Sequence, residues 1–387
     1  MATNKHELDK NQDILLTLTR AGLWEKEVQL LQFGEIDYSS IYNMAERQGV
    51  VGLVAAGLEH VTDVKIPQVA ALTFAGSTIQ MEQRNKAMNQ FIAELVEKMR
   101  AADIYTLLVK GQGVAQCYEK PLWRCSGDID LFLSDDNYQK AKPFLMPLAL
   151  SIEEEYVREK HLGMTIDGWG VELHGHLYSG LSSRVEKELD ALQQDTFYRG
   201  EVRSWMNGKT HIFLLKAEND IFYVFTHILQ HFYKEGVGLR QICDWSRLMW
   251  TYKDTLNYGL LEQRIKRAGL VSEWKAFGAL VIEYLGFPKD SMPLLDVRSK
   301  KEDVRWRKKA DRIMEFILKS GNMGHNRGSG FRDNGSWLGR QYVVRKAFSM
   351  FRRIGDLINH ARIFPLDSLR FFPRIMWNGV RSAIRGE

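Results

Sequence analysis

Cysteine is scarce in this chain: Cys117, Cys125 and Cys243 are the three among 387 residues. Their number and scatter exclude a disulfide framework and a cysteine zinc knuckle, and suit reduced thiols in a cytosolic protein. Long apolar runs are also missing. No window of about 18 residues is free of charged and polar groups, so no transmembrane helix is expected. Met1 to Asp13 is polar and mixed in charge, with no apolar segment after it of the kind a secretory signal needs. These absences predict a cytoplasmic protein that has at most surface contact with a membrane. Internal repeats are absent as well. What remains is ordinary for a globular chain: 45% hydrophobic and 26% charged residues rule out disorder and collagen-like structure. The length suits two or three domains with a substantial core.

The formal charge of +5 is unevenly placed. Residues Trp337 to Glu387 hold ten Lys/Arg against Asp356, Asp367 and Glu387, so that segment carries +7 and the rest −2. The basicity therefore belongs to a tail, interleaved with Phe348, Phe351, Phe364, Phe371, Phe372 and Trp377. Such a tail suits an anionic membrane, nucleic acid, or packing on the body with solvated arginines; the last is the preferred reading.

Periodicity divides the remainder. Residues 1–103 read as helical, with Phe91, Leu95 and Met99 spaced four apart on one face of a helix that Pro67 opens. The texture changes at Ile104. A β-rich run, Tyr105 to Val109, ends at Lys110-Gly111-Gln112-Gly113, and a helix is expected from Val114 to Glu119. A strand from Asp128 to Leu133 and a helix from Asp136 to Lys142 follow. Strands 162–166 and 171–177 are joined by the turn Asp167-Gly168-Trp169-Gly170. This predicts an α/β (α+β) protein: a small mixed sheet over 104–215, flanked by helical regions 1–103 and 216–320. Gly321, Gly324, Gly328, Gly330 and Gly335 mark a flexible linker or loop that opens the last segment, 321–387.

The chemistry concentrates in that small sheet. Residues two apart on a strand share a face, so Asp128 and Asp130 project together while Ile129, Leu131 and Leu133 anchor the other face. Two carboxylates roughly 7 Å apart along a strand repel unless a cation lies between them, and their oxygens are hard donors of the kind Mg²⁺ prefers. The turn at Gly111 and Gly113 lets backbone N–H groups approach a phosphate, although a plain chain reversal needs the same glycines. In Val171-Glu172-Leu173-His174-Gly175-His176-Leu177 the alternation puts Glu172, His174 and His176 on one face. Glu172 supplies the third carboxylate that two-metal phosphoryl transfer requires.

These residues resemble the nucleotidyltransferase superfamily typified by DNA polymerase β, and within it the family described as uncharacterised nucleotidyltransferases. The likeness rests on Leu108-Val109-Lys110-Gly111, Tyr118-Glu119-Lys120-Pro121, Arg124, Gly127-Asp128-Ile129-Asp130-Leu131, Val171-Glu172-Leu173-His174 and Arg240-Gln241-Ile242-Cys243-Asp244. It implies that Asp128, Asp130 and Glu172 hold Mg²⁺ or Mn²⁺, with Glu172 also helping to activate the nucleophile. It further implies that Gly111 and its turn hold the phosphates of a nucleoside triphosphate (NTP), with ATP among the candidates. Family proteins of this sort are associated with polysaccharide gene clusters. Gln112 stands where the superfamily usually has Gly or Ser, and Glu172 where Asp is more usual; a nucleotide-binding or regulatory protein without turnover is the alternative that Gln112 supports.

Lys110 and Arg124 flank the site as candidate partners of triphosphate oxygens, with solvation as the competing account. His174 is placed to orient a carboxylate or the acceptor. A zinc hydrolase built on His174 and His176 would lack a well-placed third ligand. His227 and His231 stand four apart on a helix, but Ile228 occupies the place of a metalloprotease general base, which leaves core histidines or cleft-lining residues. Arg240 and Asp244, also four apart, suit either an ion pair or a helical wall against the nucleotide.

Overall fold

Alternating and fully apolar runs between Leu107 and Leu215 fold into one seven-stranded mixed sheet in the computed structural model, which describes residues 8–234, 236–295, 300–321, 355 and 358–385. Four helices come first: α1 (Lys10–Trp24), α2 (Tyr38–Gln48), α3 (Val51–Glu59) and the long α4 (Gln68–Ala101), which Pro67 caps. The sheet region then runs β1 (Leu107–Val109), α5 (Gly111–Ala115), β2 (Ile129–Phe132), α6 (Asp135–Leu145), β3 (Ala149–Ile152), β4 (His161–Ile166), β5 (Trp169–His174), α7 (Ser183–Tyr198), β6 (Val202–Asn207) and β7 (Thr210–Leu215). After it come α8 (Ala217–Lys234), α9 (Leu239–Thr251), α10 (Tyr258–Ala268), α11 (Val271–Leu285), α12 (Lys300–Ser320) and α13 (Pro365–Arg385). No described helix is long and apolar enough to cross a membrane.

The strand order is β3-β4-β5-β2-β1-β7-β6. β2 runs antiparallel to β1 and parallel to β5, and β1 is parallel to β7. Each sheet face owns a separate core, as the two-residue period of a strand requires. Ile129, Leu131 and Leu133, with Val171 and Leu173, pack beneath Met88, Ile92 and Leu95 of α4 and Tyr138 and Ala141 of α6. The opposite face, through Leu107, Val109 and Phe132, joins a larger core shared by α1–α3 and by helices α7 to α13. Helical regions far apart in sequence thus close over the same face.

Several expected elements shift. The helix predicted from Val114 to Glu119 is the single turn α5, starting earlier at Gly111. The strand predicted over 171–177 stops at His174, and Leu177 joins the other core. β3, β6, β7 and α7 were not anticipated. β6 alternates exposed and half-buried residues at a sheet edge, so no apolar run marks it. Of the glycine-rich stretch, Gly321 ends α12 with φ +70°, while Gly324, Gly328, Gly330 and Gly335 lie outside the described residues. In the described part of the basic tail the aromatics pack on the body as expected, whereas Arg370 is bonded rather than left to solvent. Phe364 and Phe371 are fully buried, and Arg370 donates to the carbonyls of Ala268 (2.7 Å) and Gly269 (3.1 Å). The outer face of α13 is apolar: Leu366, Leu369 and Trp377 are exposed.

Helices α1 and α3 cross with almost no space between their backbones. A Cβ on Gly57 would lie 2.1 Å from the Leu18 carbonyl oxygen, and one on Gly22 2.0 Å from that of Leu53. Gly→Ala inside a helix ordinarily gains up to about 1 kcal/mol. Here Gly57→Ala is expected to lose roughly 1–3 kcal/mol through overpacking. Urea unfolding checks the sign, and a stabilised variant would contradict the crossing.

Candidate active site

Asp130 sits in the middle of the sheet, with Val109 of β1 opposite it on one side and Glu172 of β5 on the other. A carboxylate only 6% exposed requires cationic partners. Two are present. Lys110 Nζ lies 2.6 Å from Asp130 Oδ1, and His174 Nε2 lies 2.9 Å from the same oxygen. Burial acts to raise the Asp130 carboxyl, but Lys110 and His174 outweigh it and hold it below the usual range. Burial likewise opposes the Lys110 ammonium, yet Asp130, Tyr223 and Glu172 keep it charged well above the ordinary lysine range. Lys110 reaches this position from a left-handed backbone (φ 56°) at the end of β1, and Gly111 continues the turn with φ +40°. Such a conformation at a non-glycine residue costs on the order of 1–3 kcal/mol and persists only where surrounding contacts fix it.

Glu172 projects from the same face. His161 Nε2 is 3.2 Å and His174 Nε2 3.4 Å from Glu172 Oε2. These two hydrogen bonds outweigh burial and hold the Glu172 carboxyl far below its ordinary value. His174 is shifted the other way: burial lowers it, but Asp130 and Glu172 raise it to a net upward shift. Asp128, one residue before β2, is exposed to solvent. Its carboxyl is raised, first by partial removal from water and then by the charges of Asp130 and Glu172. Asp128 therefore feels the negative charges of Asp130 and Glu172, which is the electrostatic condition a divalent cation relieves, while Lys110 and the histidines offset the other two acids. Among the described residues, His161, Glu172 and His174 each offer a ligand atom within 4.8 Å of the others, a group that includes neither Asp128 nor Asp130.

The remaining predicted residues divide. Gly111 lies against the Asp128 carbonyl, where an added Cβ would stand 3.4 Å away. Gly113 serves packing, because a Cβ there would meet Leu214 Cδ2 at 2.8 Å. The Gln112 side chain turns away from the carboxylates and is buried, donating to Asn85 Oδ1 (2.9 Å) and Ser126 Oγ (3.1 Å). Arg124 is the clearest departure from expectation. It is buried in a two-pronged pair with Asp244, Nε to Oδ1 at 2.7 Å and Nη2 to Oδ2 at 2.8 Å. With Tyr118 Oη also donating to Asp244 (2.8 Å), this pair ties the segment before β2 to α9. Arg240 is not paired with Asp244; its Nη1 donates to the Cys125 carbonyl (2.9 Å), and its charge, after that of Lys110, partly offsets the upward shift of Asp128. His176 bonds Asp190 (2.8 Å) and stays out of the histidine cluster.

Sequence reasoning passed over His161 and Tyr223. The Tyr223 ring lies 5.9 Å from Lys110 Nζ. On the same helix, His227 and His231 approach to 3.0 Å between their Nε2 atoms. Burial, then Lys110 and His231, push His227 well below the ordinary histidine range, so it stays neutral. These side chains place α8 along one wall of the site.

The Arg124–Asp244 pair yields a stability test. Removing one member of a buried, hydrogen-bonded ion pair costs about 3–5 kcal/mol. Asp244→Ala is expected to show that loss in chemical denaturation, whereas a change under about 1 kcal/mol would assign the pair no structural role.

Comparison with known proteins agrees with the geometry. A family model described as uncharacterised nucleotidyltransferase matches residues 34–286. No curated protein and no solved structure matches the chain. The match spans well over half the chain, including β1, the Gly111 turn, Asp128, Asp130 and Glu172. The chain belongs to the family of uncharacterised nucleotidyltransferases.

Proposed function

We propose that this protein transfers a nucleoside monophosphate from an NTP to a hydroxyl acceptor and releases pyrophosphate, using Mg²⁺ or Mn²⁺. One observation carries the reading: the register that sets Asp130 beside Glu172, with Asp128 crowding both and Lys110 alongside. Asp128, Asp130 and Glu172 would hold the divalent ions. Bound there, the ions supply charge neutralisation for the triphosphate and lower the pKa of the attacking hydroxyl.

The chain's own residues do the rest. Lys110 sits at the β1 turn, where its ammonium offsets phosphate charge, and the backbone N–H groups around Gly111 to Gly113 give hydrogen bonds to phosphate oxygens. α5 is a single turn, so this contribution is local amide geometry rather than a long helix dipole. His174 fixes the orientation of both Asp130 and Glu172 through its single Nε2. Glu172 completes the ligand set and helps activate the acceptor oxygen. Arg240, whose charge reaches Asp128, would face the negative charge of the nucleotide. Arg124 acts on the site indirectly, through Asp244 and α9 and through its hydrogen bond to Ser126 Oγ (3.0 Å).

A second surface has its own observation. The outer face of α13 presents Leu366, Leu369 and Trp377 to solvent, in the segment that carries the excess of arginine. An apolar stripe with basic flanks suits the surface of an anionic bilayer, with the helix lying flat and its other face still docked on the body.

Two expectations follow. Asp128→Asn and Asp130→Asn are each expected to lower pyrophosphate release by about 100-fold or more, the effect of the several kcal/mol that bound metal contributes, with the fold intact by circular dichroism. The assay uses labelled NTPs with a pool of hydroxyl acceptors. Full activity in both variants removes the assignment, and nucleotide binding without turnover in the wild type favours a regulatory nucleotide-binding protein. For the tail, Leu366→Glu with Leu369→Glu is expected to abolish sedimentation with phosphatidylserine liposomes. Equal sedimentation of variant and wild type excludes that face.

A further inference from the structure

β5 lies between β2 and β4, so Glu172 has Asp130 on one flank and Gly163 on the other. The β4 flank holds a second donor set. His161 is the direct cross-strand partner of His174, which puts both imidazoles on the face that carries Glu172. Their ring centroids are 4.8 Å apart, and both Nε2 atoms lie near Glu172 Oε2, at 3.2 Å for His161 and 3.4 Å for His174, whose Nε2 is also 2.9 Å from Asp130 Oδ1. Gly163 stands across from Glu172 without a side chain, and Glu153 Oε2 reaches over it, 2.5 Å from where a Cβ would be. The chain enters β4 through Lys160 in a left-handed conformation (φ 46°), and the Lys160 carbonyl accepts from Gly175 N at 2.7 Å. The ends of β4 and β5 are thereby fastened together beside the two histidines.

We propose that His161, Glu172 and His174 form a site for a first-row transition-metal ion, which the site takes in preference to Mg²⁺. Donors held about 2.0–2.2 Å from one ion stand roughly 3.0–3.5 Å apart in tetrahedral or octahedral shells. The two nitrogen-to-oxygen separations here, 3.2 and 3.4 Å, already have that spacing. Two imidazoles and one carboxylate form a nitrogen-rich set suited to zinc, iron, cobalt or manganese, whereas Mg²⁺ favours oxygen donors and retained water. His174 Nε2 also stands 2.9 Å from Asp130 Oδ1, so binding the ion would exchange that hydrogen bond for a bond to the metal and leave Asp130 paired with Lys110. An ion at their meeting point serves all three groups at once. The ion would share Glu172 with the carboxylate cluster, so its position deepens the transfer reading and rests on that reading for its role, though not for its binding.

Cobalt(II) is the probe, because its visible d–d bands report ligands without any assay of turnover. The full-length protein is expected to show such bands for Co²⁺ bound at the histidines, and an excess of about 100-fold Mg²⁺, which competes for the carboxylate cluster, leaves them in place. His161 is half-buried at a strand end, so His161→Gln should fold; it is expected to weaken Co²⁺ binding by at least about tenfold, a loss that even outer-shell changes produce. Asp128→Asn is expected to retain the bands. Displacement of Co²⁺ by equimolar Mg²⁺ in the wild type overturns the proposal without need of a variant, as does wild-type affinity in His161→Gln. Bands that persist in a protein that transfers no nucleotide sink the transfer reading alone; transfer without any bands sinks the histidine site alone.

Discussion

A single anion at the centre of a sheet sets the terms for everything near it. Asp130 is flanked by strands on both sides and nearly excluded from water, so its charge is tolerable only with cations in contact. Lys110 meets that need from the end of β1, and the strained turn through Lys110 and Gly111 is what aims its side chain. His174 meets it from β5 and in doing so couples Asp130 to Glu172. The parallel pairing of β2 with β5 is therefore electrostatic as well as structural, because it aligns two acids that share one imidazole.

Support for this centre comes from outside the sheet. Arg124 and Asp244 lock the segment before β2 to α9, while Gln112 and Asn85 tie the turn after β1 to α4. Asn85 also donates to the carbonyls of Leu122 and Arg124. The loops on either side of the acidic cluster are held by buried polar contacts to two different helices. Such contacts fix side chains to within the small tolerances that phosphoryl transfer demands.

The acidic cluster was legible because strand periodicity is local: Asp128, Asp130, Glu172 and His174 declare their shared face by spacing alone. The alternate residues Ile129, Leu131, Val171 and Leu173 lie in one core as that spacing requires. Partners chosen across long separations were not legible. Arg124 carries no mark of Asp244, which is more than a hundred positions away, and Arg240 looked like its natural mate at helical spacing. His161 could have been found. The hairpin turn at Asp167 and Gly168 fixes the register of β4 on β5, and counting back from it reaches His161 opposite His174. β6 and the short β3 escaped because edge strands with exposed alternate residues have no apolar run to announce them. The helical content on either side was plain, but periodicity does not say that α1 and α11 would meet.

That meeting bears on how the protein is made. The last strand ends at Leu215, yet the face carrying Phe132 and Leu215 shares its core with helices that extend to α13. During synthesis that face of the finished sheet has only α1–α3 and α7 to cover it until more than a hundred further residues emerge. Until then the apolar side chains that later meet α8 to α13 lack their partners, the condition under which partly formed domains are most prone to aggregate.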